Sequence, residues 1–361
     1  MRTFTIGSNE AGQRFDKYLH KLLPEAGNSF LYKMLRKKNI TLNNSKAEGR
    51  EMLNPGDTVK LFLAEETFLK FAGGDKASAS ASALSNAATA SSGESFISEY
   101  QEAYQTLNSR KNKPVVLWED ADLLIADKPA GTLTQKAAPG DLSMNEWLIG
   151  YLLETGAITA TQLITFHPSV CNRLDRNTSG LVLCGKSLAG SQLLSELIRE
   201  RSIGKFYRTI VRGTIKKSQH MEGFLYKDEH SNQVTIYRDK AQAKPEHQKG
   251  LSAIRTSYTP LQTFKVKGQA FTYLEIQLHT GKAHQIRAHL ASIGHPILGD
   301  TKYGNSACNQ MAQRIWHLPY QLLHAYRVAF PAMKGTGEQL SKKSVTAPLP
   351  PFFSQILDAG E

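Results

Sequence analysis

The chain has 361 residues, and its 44 Lys and Arg against 32 Asp and Glu leave a formal charge of +12. Hydrophobic residues make up 40%, enough for a packed core, which argues against global disorder, and the basic excess points to a polyanionic partner. Cys171, Cys184 and Cys308 form no CxxC pair, so neither a zinc framework nor a disulfide scaffold is expected. The start MRTFTIGSNE lacks an apolar signal core, and no run approaches the length of a membrane span. A reducing cytoplasm is the expected compartment, with no membrane partner.

The chain divides by composition into four zones, expected at 1–66, 67–112, 113–335 and 336–361. In the first, Phe15, Leu19, Leu22 and Leu23 recur at helical spacing within Arg14–Leu23. Ser29 is the expected N-cap of a second helix, Phe30–Lys38, with Leu31, Met34 and Leu35 inward and Lys33, Arg36, Lys37 and Lys38 outward. A strand is expected at Ile40–Asn43, then a bend at Pro55–Gly56–Asp57 and a last strand, Val59–Leu63. A basic helix face of this kind is a solvated surface or a phosphate contact. FDKYL, YKMLRKKNITLN and NPGDTVKL together resemble an S4 domain, a small RNA-binding module, with Asn44 where that family commonly has glycine. The resemblance places Arg36, Lys37 and Lys38 on the RNA-facing surface.

Residues 67–112 read as a flexible linker, most clearly in the Ala/Ser-rich stretch from Ala72 to Ser95. The third zone alternates apolar runs with glycines and forms the main domain. The polar, proline-containing tail after Met333 is expected to wrap the surface or fray.

Within the main domain, CNRLDRNTSGLVLCGK sets a carboxylate, Asp175, in a polar loop before the apolar run Leu181–Cys184. Arg173 and Arg176 offer positive charge to that carboxylate or to phosphate; the plainer reading is a turn aspartate bonded to its own backbone. Gly204–Gly213 reads as a strand with Tyr207, Thr209 and Val211 on one side, and Phe271–His279 as another. Thr280 is the expected cap of a helix with a buried ridge of Ala283, Ile286, Leu290 and Ile293. Arg287 lies further round, between Ala283 and Ala291, with room to reach a carboxylate or an RNA backbone. His284 and His289, five apart, do not suit two ligands on one helical face and read as RNA-facing or structural.

Six motifs in order then resemble the RluA family of pseudouridine synthases: VVLWEDADLLIADKPAG, NRLDRNTSGLVL, KFYRTIVRG, TGKAHQIRAHL, GHPILGDTKYG and LHAYRVAF. The resemblance spans roughly 113–331. It implies an α+β fold, with a mixed, largely antiparallel sheet crossed by a cleft and a small N-terminal α/β S4-like domain. It implies a cofactor-free, metal-free isomerisation of uridine to pseudouridine in structured RNA. Asp175 matches the family's catalytic aspartate, Tyr207 the tyrosine that packs on the target base, and Arg287 the arginine that pairs with the aspartate. Arg173 matches an arginine expected to fill the gap left by the flipped uridine. Asn172 replaces the family's usual histidine before RLD. Large-subunit ribosomal RNA is the expected substrate, with transfer RNA second, and the protein is expected to be a monomer. The rival from another class is a non-catalytic RNA-binding or ribosome-assembly protein.

Overall fold

The computed structural model describes residues 1–72, 93–160 and 162–360. Most of the stretch expected to be the least ordered part of the linker lies outside the described residues. Among those described, no helix is long and apolar enough to cross a membrane.

The first 72 residues build a unit around a four-stranded antiparallel sheet, ordered β1 (Arg2–Thr5), β4 (Thr58–Leu61), β2 (Ile40–Leu42), β3 (Ser45–Lys46). Helices Phe15–Leu22 and Asn28–Arg36 close its core, burying Phe15, Leu19, Leu22, Leu31 and Leu35 as their spacing predicts. The second helix starts earlier than expected: Gly27 is the N-cap, and no side chain caps the helix, so Ser29 falls inside it. Asn43 and Asn44 both take positive φ, 51° and 62°, between β2 and β3. That is the backbone of a tight two-residue hairpin, and asparagine tolerates it better than other non-glycine residues. The departure at Asn44 is thereby absorbed. Asn43 also accepts from the Thr58 amide at 2.8 Å, tying the turn to β4.

The remaining strands join one large sheet, ordered β11 (Gln233–Tyr237), β10 (Gln219–Asp228), β12 (Ser252–Val266), β13 (Gln269–Leu278), β9 (Gly204–Arg212), β14 (Leu323–Ala329), β8 (Ser179–Gly185), β6 (Leu123–Lys128), β5 (Val115–Glu119). Neighbours run antiparallel except β14 and β8, which are parallel. The sheet is therefore mixed and largely antiparallel, as expected. β8 is buried along its whole length. Leu181 and Leu183 pack with Ile125 and Val328, while Val182 and Cys184 join the cluster that holds Tyr207. A continuous apolar run suits a strand covered on both faces. Gly180, at φ 110°, lets β14 approach: a Cβ there would stand 2.3 Å from the Ala325 carbonyl oxygen.

Two zones carry more structure than composition suggested. Most of helix Glu65–Ala72 and all of helix Gly93–Asn108 fall in the zone read as linker, and Ala103 and Leu107 are buried. In the zone read as a tail, β15 (Ser344–Thr346) pairs with β14, and helix Pro351–Asp358 buries Phe353 and Ile356 against Ile210, Phe264 and Phe271. The apolar residues of PFFSQILD outweigh the polar stretch before them. The N-terminal unit also touches the body directly. Thr165 donates to the Glu10 carboxylate at 2.8 Å, and Ile164 packs on the unit's core.

Candidate active site

Asp175 sits in the loop between β7 (Ser169–Val170) and β8. Several short links hold that loop. The Asn172 side chain imitates a strand residue, donating to the Leu181 carbonyl at 3.2 Å and accepting from the Leu183 amide at 2.7 Å. The residue that departs from the usual histidine therefore staples the loop to β8. Thr134 brackets Leu174, its hydroxyl donating to the Leu174 carbonyl at 2.9 Å and accepting from the Leu174 amide at 3.1 Å. Within the loop, the Thr178 amide donates to the Asp175 main-chain carbonyl at 3.0 Å, while the Asp175 side chain bonds Arg287 and not the turn of the plainer reading.

Beneath the loop lies Lys128, a lysine with no exposed surface. Its ammonium donates to the carbonyls of Thr132 at 2.7 Å, Arg176 at 2.9 Å and Pro129 at 3.2 Å. Burial pushes its pKa down to about 7, against the pull of the Asp175 and Asp127 carboxylates. An apolar strand ending in a lysine, LLIADK, was the available signal for it, and the sequence reading did not single it out.

Arg287 comes from the helix Gln285–Ser292, which follows β13. The helix begins later than expected. Its N-cap is His284, in the left-handed region at φ 54°. Thr280 instead donates to the Gln285 side-chain oxygen at 2.9 Å, and Ala283 is exposed outside the helix. Ile286 and Leu290 do face the core, but Gln285, Arg287 and His289 are buried too. Each buried polar side chain has a partner, as low-dielectric surroundings demand. Gln285 donates to the Arg255 carbonyl and Thr256, and His289 bonds Thr256.

The guanidinium of Arg287 joins two carboxylates. Nη1 donates to Asp175 Oδ2 at 2.9 Å, while Nε and Nη2 grip Asp300 at 2.7 and 3.0 Å. Asp300 is fully buried and also accepts the Lys302 and Tyr303 amides. Burial alone would raise the Asp300 pKa, but the bonds and charge of Arg287 hold it below the usual carboxylate range. Burial likewise works against the Arg287 charge, and Asp300 and then Asp175 outweigh it and raise its pKa. The bidentate grip fixes the fork, so the remaining N–H is aimed at Asp175. The Asp175 side chain is 27% exposed, against 8% for Arg287, so one end of the array opens outward.

Tyr207 on β9 is buried in the main core with Leu274, Ile276 and Ile286. Burial, then the Asp175 charge, raise its hydroxyl pKa, which keeps it a phenol. His284 bonds the Tyr303 hydroxyl through Nδ1 at 2.9 Å, and that hydroxyl accepts from the Val234 amide at 3.0 Å. Tyr303 also stands 5.3 Å beneath the Arg287 guanidinium.

The structure thus brings Asp175, Arg287 and Tyr207 into one neighbourhood. Arg173 is exposed on the Asp175 loop, and Arg36, Lys37 and Lys38 are exposed on the N-terminal unit. Sequence reasoning passed over Asp300, although it closes the apolar run of GHPILGD, and over Tyr303 just beyond it.

Residues 122–292, which include Lys128, Asp175, Tyr207 and Arg287, match the model of a family described as RNA pseudouridylate synthase. The ribosomal large subunit pseudouridine synthase C of Pasteurella multocida is 29% identical, over 99% of this chain and 94% of its own length. The ribosomal large subunit pseudouridine synthase D of Nitrosomonas europaea is 28% identical, over 98% of this chain and 86% of its own. Among solved structures, human RNA pseudouridylate synthase domain containing 4 shares the fold, with a TM-score of 0.54 at 20% identity, covering 72% of this chain and 96% of that one.

Proposed function

We propose that this chain is an RNA pseudouridine synthase of the RluA type, that its substrate is large-subunit ribosomal RNA and that Asp175 carries the reaction. The observation behind the second part is the Asp175–Arg287–Asp300 array. Arg287 occupies Oδ2 of Asp175 and leaves Oδ1 for the sugar. The isomerisation breaks the bond from C1′ to N1 of uracil, turns the base, and joins C1′ to C5. N1 gains a proton and C5 loses one, so atoms balance without an oxidant or a co-substrate. Asp175 either attacks C1′ or removes a sugar proton to leave a glycal. The uridine leaves its stack to reach the site. The buried ring of Tyr207 forms the wall on which the free base turns, and its hydroxyl is the candidate for proton transfer. Arg173, exposed on the same loop, fills the space that the flipped uridine vacates. Arg36, Lys37 and Lys38 hold phosphates on the S4-like unit.

The substrate assignment leans on the relatives, whose names specify the ribosomal large subunit. Its test is to incubate purified protein with unmodified large-subunit ribosomal RNA and, separately, with unmodified transfer RNA, then map pseudouridines. New pseudouridine at discrete positions of the ribosomal RNA is the expected result. Modification confined to transfer RNA overturns the substrate, and none in either RNA favours the non-catalytic reading.

A further inference from the structure

The large sheet has a second charged recess, on the face turned away from Tyr207. Ile254, Thr256 and Tyr258 of β12 point toward the helix that carries Arg287 and toward the main core. Arg255 and Ser257 alternate with them and point to the opposite face. There Arg255 lines a cavity of about 390 Å³ with Arg201, His220, Gln277 and His279 among its walls, and Ser257 lies behind the two histidines. Ser257 bridges two imidazoles, 2.8 Å from His220 Nδ1 and 2.8 Å from His279 Nε2, and the two rings meet edge-on at 5.2 Å. The two imidazole rings are thus held in place, with His279 Nδ1 left over among the described residues.

The recess is only partly neutralised from within. Arg201 and Arg255 form no salt bridge among the described residues, while exposed Glu222 pairs with His220 at 3.4 Å and stands opposite Arg255 in the β10–β12 ladder. Burial, then His220 and Arg255, lower the His279 pKa.

Arg201 is set at the rim by the end of a helix. Helix Leu188–Arg199 ends in a reciprocal pair of bonds, Arg201 amide to Ile198 carbonyl and Ser202 amide to Leu197 carbonyl. This ending puts Arg201 in the left-handed region, at φ 59°. The position ordinarily favours glycine, because a Cβ is strained there. The turn fixes Arg201 at the rim of the recess.

We propose that this recess is a phosphate-binding site that takes the backbone of the bound RNA. Its shape and donors suit a tetrahedral dianion or a phosphodiester, and RNA is the polyanion this family acts on. The recess adjoins the catalytic segment through Arg255, whose carbonyl accepts from Gln285, two residues before Arg287. An RNA that wraps this edge of the sheet would meet the recess on the face opposite Tyr207. The inference rests on the RNA-directed reading above, but its readout is binding rather than conversion.

Arg201→Gly provides an informative test, because it removes the charge and relieves the backbone at once. The variant is expected to melt at a higher temperature than the parent and yet bind RNA more weakly. Fluorescence anisotropy with a labelled fragment of large-subunit ribosomal RNA should show affinity reduced about 3–10-fold, and a plot of log affinity against log salt shallower by about one unit. Arg255→Gln should do the same without the gain in melting temperature. In the parent protein, inorganic phosphate should shift the ring signals of His220 and His279 in NMR spectra, and Arg201→Gly should abolish the shift. Unchanged affinity and salt slope in both variants overturn the proposal. Phosphate-dependent shifts with an unchanged RNA slope overturn the RNA assignment and leave a site for a free phosphate compound. Normal RNA binding with no pseudouridine formed would count against the function proposed above and not against this site.

Discussion

The N-terminal unit and the sheet body use charge in opposite ways. In the unit, Arg36, Lys37 and Lys38 project into water at the end of a helix whose other face makes the core. In the body, Lys128, Arg287 and Asp300 lie inside, each held by several hydrogen bonds. Exposed charges are free to act on a polyanion one by one, weakly and under salt screening. Buried charges act through geometry, because removing one leaves its partners unpaired in a poorly polarisable medium. The contrast teaches where large mutational effects should fall: few and severe in the body, many and small in the unit.

The largest effect short of Asp175 itself is expected at the Arg287 fork. Arg287→Ala strands the buried Asp300 carboxylate, and breaking such a pair costs about 3–5 kcal/mol. Turnover should fall about 100-fold or more, because the group that aims Asp175 is gone. Asp300→Asn sharpens the point, since Asp300 grips Arg287 through Nε and Nη2 while Nη1 is left for Asp175. It should lower kcat while leaving RNA affinity within about twofold; equal losses in kcat and affinity would make Asp300 merely structural.

Next comes Lys128→Met, which keeps most of the volume but leaves three carbonyls without their donor. Urea denaturation should show a loss of about 3 kcal/mol. A loss under 1 kcal/mol would mean that other groups satisfy those carbonyls. The smallest effect on the fold belongs to the unit. Replacing Arg36, Lys37 and Lys38 together by Gln should change stability by less than about 0.5 kcal/mol. The slope of log RNA affinity against log salt should become shallower by about two units. A stability loss with an unaltered slope would erase the contrast between the two regions.

What the sequence made legible follows the same division. Local patterns were readable: Leu31, Met34 and Leu35 at helical spacing, and the apolar run of β8. So was the neighbourhood of Asp175 and Arg287, 112 residues apart, because the motifs around both resemble one family. Long-range partners carried no local signal. Asp300 is thirteen residues from Arg287 and looks like a turn residue until the guanidinium folds back on it. Lys128 looks like the polar end of a strand until Thr132 and Arg176 surround it. Thr280 looked like a helix cap because threonine caps often, yet the chain first turns through a left-handed His284 and starts the helix at Gln285. In the tail, helix Pro351–Asp358 was obscured by the polar stretch before it, although Phe353 and Ile356 carry the spacing of a buried face.

The central claim is that the Asp175 carboxylate performs the isomerisation, and its most direct test is Asp175→Asn with large-subunit ribosomal RNA tritiated at uracil C5. Joining C5 to C1′ expels that hydrogen, so released tritium counts turnovers. The account predicts no detectable release from the variant over times in which the parent protein completes a turnover, with RNA affinity unchanged within about twofold. Release within about tenfold of the parent rate would contradict it, since an amide cannot replace a carboxylate as nucleophile or base.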